Sequence, residues 1–160
     1  QSPEGVTVTI YETAGGGPGR ELWVAEEPDQ PVAQLGAGGV HHVALRVTDL
    51  DRSRGFYADT LGLPVVLEQP GLVIVMAGAT PIGLQGSTER TPPGAVFDPM
   101  RVGLDHLAIA CEEESELHRV AGALSEAGIE NTGVKLDETL GKLYVAFKDP
   151  DRISWEFYMA

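Results

Sequence analysis

The chain has 160 residues, and 11 Lys and Arg stand against 24 Asp and Glu, so its formal net charge is −13. This balance argues against a nucleic-acid-binding protein, because neutralising phosphates needs clustered cations, and it disfavours docking on an anionic membrane surface. Hydrophobic residues make up 42% of the chain, which is enough for one substantial core.

Cysteine content and hydropathy indicate the cellular compartment in which the protein is expected. A single cysteine, Cys111, excludes an internal disulfide framework and is typical of a reducing environment. No segment approaches the roughly 18 consecutive apolar residues of a membrane span, and residues 1–20 lack the basic start and apolar stretch of a secretion signal. We therefore expect a cytoplasmic protein.

Glycine and proline clusters set residues 1–38 apart as an N-terminal extension, which ends in a Gly- and Pro-rich linker. Residues 3–11 align without gaps on residues 150–158, and both segments read as a turn followed by a strand. Two interpretations stay open: a tail strand of an upstream module, or a strand added to this fold or to a partner. The first would make the chain the C-terminal part of a longer multi-module protein.

Two blocks of similar size follow, at residues 39–86 and 103–160, separated by a linker at 87–102. The nonapeptides 39–47 and 103–111 align at an offset of 64 residues, with Gly, His and Ala coincident. Each predicts a strand, followed by a helix and three short strands. The sequence thus predicts one α+β domain, residues 39–160, built from two βαβββ modules.

The helices and later strands are predicted from capping residues and periodicity. Asp49 is a candidate N-cap for the first helix, with a stop at Gly62, and an apolar stripe beginning at Leu117 predicts a second helix that ends near Gly128. The strands predicted after the two helices are 64–67, 72–76, 82–85, 131–136, 142–147 and 153–158.

Three side chains suggest metal chemistry. Alternation places His42 and His106 on strand faces where a small residue lies next to each histidine, and it places Glu156 on the polar face of the last strand. Two imidazoles and one carboxylate form a common set of ligands for divalent Fe, Mn, Zn or Ni, with coordination positions left open for a substrate. The alternative is that each histidine is a structural residue.

Residues 39–65 (GVHHVALRVTDLDRSRGFYADTLGLPV) and residues 144–158 (YVAFKDPDRISWEFY) resemble the opening and the close of a vicinal-oxygen-chelate module. That superfamily includes glyoxalase I, methylmalonyl-CoA epimerase, fosfomycin-resistance and bleomycin-resistance proteins, and extradiol dioxygenases. The resemblance covers about residues 38–160 and implies paired modules curled into an incomplete mixed β-barrel around a metal. It implies His42, His106 and Glu156 as metal ligands. A fourth ligand position falls near residues 82–85, where Gln85 is either that ligand or a surface residue at a strand end.

The resemblance implies a metal-dependent enzyme of isomerase, lyase or oxygenase type, with an enolate or oxyanion of a small oxygen-chelating substrate stabilised by the metal. Glu156 is then both a ligand and the catalytic base. Arg46, a cation on the ligand face, is a candidate for binding an anionic substrate group, and its alternative is a surface salt bridge. Tyr144 is a second substrate-binding candidate, on the strand where ring-cleaving dioxygenases carry a His and a Tyr. Modules of this family often pair across chains, so a homodimer is expected. The alternative function is that of a non-catalytic dimeric drug-binding protein, as in bleomycin resistance.

Overall fold

The computed structural model describes residues 40–160, so the proposed extension at residues 1–38 lies outside the described residues. The elements follow in chain order. They are β1 (Val43–Arg46), α1 (Leu50–Arg54) with a π-helical continuation (Gly55–Thr60), β2 (Val65–Gln69), β3 (Leu72–Ala77), β4 (Thr80–Gln85), β5 (Leu107–Cys111), α2 (Glu114–Glu126), β6 (Lys135–Asp137), β7 (Lys142–Lys148) and β8 (Ser154–Met159).

The strands form two four-stranded mixed sheets, in the orders β1-β4-β3-β2 and β5-β8-β7-β6. In each sheet the first strand of a module pairs in parallel with the last strand of the same module, and the other pairings are antiparallel. The α+β class and the duplicated βαβββ unit are therefore confirmed. Within residues 40–160 no strand of one sheet is hydrogen-bonded to a strand of the other, so the barrel is not closed.

The helix boundaries follow the capping chemistry. The Asp49 side chain accepts a hydrogen bond from the backbone N–H of Arg52 at 3.0 Å and so caps α1. After the π-helical segment, Gly62 turns the chain with φ +79°. The second helix buries the predicted stripe, and Gly128 follows its end with φ +70°. Among the described residues, neither helix combines the length and apolarity that a membrane crossing needs.

Both modules contribute to one hydrophobic core. In the first strand of each module one face packs against this core and the other is exposed. In β1 Leu45 is buried whereas Ala44 and Arg46 are exposed, and β5 likewise exposes Ala108 and Ala110. Cys111 is buried, and this burial raises the pKa of its thiol, as expected for an inert packed cysteine. The face that carries the small residues is therefore the exposed face in both modules.

A buried polar network joins module one to module two. The Tyr57 hydroxyl donates to an Asp149 carboxylate oxygen at 2.7 Å and accepts from Trp155 Nε1 at 2.9 Å. The other Asp149 oxygen accepts from the backbone N–H groups of Asp151, at 2.9 Å, and Ile153, at 2.7 Å. Tyr57 belongs to module one, and Asp149 and Trp155 belong to module two, so this network links the two modules.

The turn before β8 contains a backbone conformation that favours glycine. Arg152 has φ +68°, and we expect Arg152→Gly to raise the free energy of unfolding by about 1 kcal/mol, because a β-carbon is disfavoured in that region. Urea denaturation measures the change. Gly128→Ala is the matched control, because a β-carbon at Gly128 would meet nothing within 4 Å. The free energy of unfolding of this variant should fall by about 1 kcal/mol through backbone strain alone. Destabilisation by Arg152→Gly would contradict this account.

Candidate metal and substrate site

The structure brings two of the predicted ligands together in module two. His106 lies immediately before β5, and Glu156 lies on β8, where it pairs in register with Ala108. The His106 Nε2 and Glu156 Oε2 atoms are 3.5 Å apart, and the two side chains are 44% and 23% exposed. Both residues line a cavity of about 800 Å³, here called the His106 cavity.

The side chain of the residue that precedes each histidine contacts one nitrogen of the histidine ring. His106 Nδ1 lies 2.7 Å from an Asp105 carboxylate oxygen, and His42 Nδ1 lies 2.8 Å from His41 Nδ1. Asp105 and His41 correspond in the repeat. A carboxylate on Nδ1 is the usual support for a metal-ligating imidazole, because it fixes the ring and leaves Nε2 as the donor atom. Nε2 of His106 faces Glu156, as such an arrangement requires.

His42 belongs to a different part of the surface. Ala44 and Arg46, on the strand that follows His42, line a second cavity of about 600 Å³ together with residues of the linker at 87–102. We call it the linker cavity. Among residues 40–160 no three His, Cys, Asp or Glu side chains are close enough together to hold one metal ion. One chain therefore offers two donors in module two and one donor, His42, in module one.

The strand register places Gln85 away from the position that matches Glu156. In module one Ala44 pairs with Gly83, whereas in module two Ala108 pairs with Glu156. Gly83, which has no side chain, therefore corresponds to Glu156. Gln85 lies two residues further along β4, and its Oε1 atom accepts a hydrogen bond from Arg46 Nη2 at 2.7 Å.

Tyr144 lies on β7 opposite Tyr158, and their rings stack with centroids 5.5 Å apart at an interplanar angle of 21°. The Tyr158 hydroxyl donates to an Asp137 carboxylate oxygen at 2.5 Å. Partial burial and this carboxylate raise the pKa of Tyr158, while the same hydrogen bond lowers the pKa of Asp137. Tyr144 is two positions along the ladder from the Ala146 and Glu156 pair, so it lies on the same face as Glu156.

Several cations near the two cavities were not anticipated from the sequence. Lys135, Lys148 and Arg152 line the His106 cavity, and Arg90 joins Arg46 in the linker cavity. Arg90 lies in a segment without periodicity, so no strand or helix pattern places it beside β1. Arg152 does carry a sequence signal, because it stands in a DPD turn where the resembled family usually has glycine.

Taken together, the duplicated βαβββ unit, the two exposed sheet faces and the matched histidines define a protein of paired modules, with a candidate metal ligand just before each first strand and a third on the last strand of module two. Residues 39–157 match the family model described as the Glyoxalase/Bleomycin resistance protein/Dioxygenase superfamily. The chain belongs to this superfamily, and the resemblance noted in the sequence is confirmed.

Individual relatives support the same assignment. The chain is 31% identical over 126 residues to the uncharacterized protein YwkD of Bacillus subtilis, covering 74% of this chain and 94% of YwkD. A glyoxylase/bleomycin resistance protein/dioxygenase domain from Frankia sp. EAN1pec superimposes with a TM-score of 0.66 at 27% identity, covering 78% of this chain and 93% of that one. Lactoylglutathione lyase from Agrobacterium tumefaciens shares the fold, with a TM-score of 0.59 at 23% identity, and the match covers 78% and 96% of the two chains.

Proposed function

We propose that the protein is a divalent-metal-dependent enzyme that acts on a small oxygen-chelating substrate, with His106, Glu156 and His42 as the metal ligands. The observation that carries this proposal is the supported histidine next to a carboxylate. Asp105 occupies His106 Nδ1, so Nε2 is the donor atom that faces Glu156. An imidazole and a carboxylate are suitable ligands for Fe, Mn, Zn or Ni.

The third ligand comes from a second copy of the chain in this proposal. A stable metal site needs three or more protein donors, and the described part of one chain places two of them together. A two-fold axis would bring His42 of one copy to His106 and Glu156 of the other, and it would complete two identical sites at once. The exposed small residues Ala44, Ala108 and Ala110 leave room for this approach of the two faces.

The chemistry that fits these residues is a proton transfer of isomerase or lyase type. A bound divalent ion supplies Lewis-acid stabilisation of negative charge that develops on a substrate oxygen atom. The Glu156 carboxylate, 23% exposed inside the His106 cavity, is placed to accept a proton from the substrate and to return it. The similarity to lactoylglutathione lyase from Agrobacterium tumefaciens is one of fold.

Metal binding tests the proposal directly. We expect the full chain, stripped with a chelator and titrated with Mn²⁺ in a calorimeter, to bind one ion per chain. Loss of a ligand in His106→Ala or Glu156→Ala should weaken binding by more than about 100-fold, whereas Asp105→Ala should weaken it by about 10 to 100-fold, as expected for a supporting residue.

His118→Ala is the matched control, because His118 is an exposed histidine on α2 whose partner, at 3.3 Å, is Glu114. Its Mn²⁺ affinity should equal that of the wild type. A chain that binds neither Mn²⁺ nor Zn²⁺, Ni²⁺ or Fe²⁺ would contradict the proposal and would favour the non-catalytic drug-binding function instead.

A further inference from the structure

Gly83 on β4 is the position of module one that matches Glu156 of module two. The parallel register pairs Glu156 with Ala108 in module two and Gly83 with Ala44 in module one. The two alanines are separated by the same offset of 64 residues that relates the two modules. The last strand of module two therefore carries a carboxylate at this position, and the last strand of module one carries no side chain there.

A side chain at residue 83 would lie beside His42. In module two the histidine stands two residues before the paired alanine, and His106 Nε2 lies 3.5 Å from Glu156 Oε2. Residues two apart on a strand share a face, so His42 is related to residue 83 as His106 is related to Glu156. The duplication thus has one histidine with a carboxylate next to it and one histidine with a glycine in the corresponding place.

The backbone does not require glycine at this position. Gly83 does not have a positive φ, and β4 keeps a continuous register with both β1 and β3, so neither a left-handed conformation nor a bulge calls for it. Within residues 40–160 a β-carbon there would meet Leu72 Cδ1 at 3.7 Å and the Val43 carbonyl oxygen at 3.8 Å, which are ordinary contacts. Glycine weakens a strand, and a strand glycine often marks the close approach of a ligand or another backbone.

We propose that Gly83 is a specificity-determining residue of the metal site, because it keeps the place of a further protein ligand free for an oxygen atom of the substrate. The inference rests on the proposed function for the ligands His42, His106 and Glu156. A carboxylate at residue 83 would complete a second pair of histidine and carboxylate, and an apolar side chain of the same size would fill the place without binding the ion.

Mn²⁺ affinity tests the ligand position. We expect the full chain with Gly83→Glu, titrated with Mn²⁺ in a calorimeter, to bind the ion at least about 10-fold more tightly than the wild type, since it gains a donor and a negative charge. Gln85→Glu is the matched control, because it introduces the same charge two residues further along β4. Its carboxylate should pair with Arg46, which already donates to Gln85 Oε1 at 2.7 Å, so its Mn²⁺ affinity should equal that of the wild type.

Oxalate binding tests the place of the substrate. Oxalate is titrated into the Mn²⁺-loaded chain and followed by water proton relaxation, which changes when a ligand displaces water from the ion. We expect Gly83→Leu to keep the Mn²⁺ affinity of the wild type and to bind oxalate at least about 10-fold more weakly, because its side chain fills the place without a donor atom. Gly83→Ala adds a β-carbon that fits without a clash, so it should bind Mn²⁺ like the wild type.

Several results would overturn the inference. Equal Mn²⁺ affinity of Gly83→Glu and the wild type, or an equal gain in Gln85→Glu, would mean that residue 83 does not define the ligand position. Unchanged oxalate binding by Gly83→Leu would remove the substrate from this place, and loss of Mn²⁺ binding by Gly83→Leu would assign the glycine to the approach of the second copy. A wild type that binds no Mn²⁺ would contradict the proposed function alone, because the inference is then decided by whether Gly83→Glu binds Mn²⁺ more tightly than Gln85→Glu.

Discussion

A one-to-one mixture of His42→Ala and Glu156→Ala chains is expected to regain the metal binding that neither variant has alone. The reason is the separation of the ligands, since His106 and Glu156 share one cavity while the face of His42 borders another. In a two-fold dimer each site takes module one from one copy and module two from the other. A mixed dimer then holds one site with both substitutions and one site with none.

The magnitude follows from random pairing. Half of the dimers are mixed and each has one intact site of two, so the mixture should bind about one quarter of the wild-type Mn²⁺ after the chains are unfolded and refolded together. A mixture of Glu156→Ala with His106→Ala is the control, because both substitutions fall in module two and every site in every dimer is damaged. Recovery in that control, or its absence from the first mixture, would rule out a site shared between copies.

The repeat made most of the fold predictable. The alignment of residues 39–47 with residues 103–111 fixed the start of both modules, and the alanine two positions after each matched histidine marked the face that the structure leaves exposed. The helix ends were predictable for a local reason, since the carboxylate of Asp49 and the positive φ of Gly62 act within a few residues of the boundary.

The strand predicted at residues 131–136 shows where local patterning fails. The observed β6 is Lys135–Asp137, and Asn131 forms an isolated bridge with Phe147. The Asn131 side chain accepts a hydrogen bond from the Gly133 N–H at 2.9 Å and donates one to the Ser125 hydroxyl at 3.1 Å. Gly133 has φ +64°. An Asn that bonds nearby backbone and a glycine in the left-handed region together form a turn in place of a ladder.

Only the part of the candidate site that follows from strand pairing within one module could be predicted from the sequence. Placing Glu156 beside Ala108, and so close to His106, follows from strand alternation and from parallel pairing inside one module. The Arg46 and Gln85 contact and the position of Arg90 depend on how β4 and the linker lie against β1, which a period of two does not encode. Gln85 stays a predicted ligand that rests on a family position, and the register pairs Ala44 with Gly83 and Arg46 with Gln85.

Asp149→Ala is expected to lower the free energy of unfolding by about 3 kcal/mol or more. Asp149 is 4% exposed, and its removal leaves the Tyr57 hydroxyl and two buried backbone N–H groups without an acceptor. Urea denaturation measures the loss. Glu89→Ala, at an exposed linker residue, should change stability by less than about 0.5 kcal/mol. Equal losses in the two variants would mean that the network does not join the modules.

The pH dependence of that network has a definite sign. Burial raises the pKa of Asp149 above its ordinary 3.8, against the hydrogen bonds that it accepts. Between the unfolded and the folded pKa the folded chain holds a proton that the unfolded chain has lost. The stability that Asp149 contributes is thus complete below pH 3.8 and is lost as pH rises through the folded pKa. Asp149→Asn cannot titrate, so wild type should lose stability relative to this variant as pH rises, by about 1.4 kcal/mol for each unit between the two pKa values. A constant difference from pH 3 to pH 8 would contradict the burial of this carboxyl group.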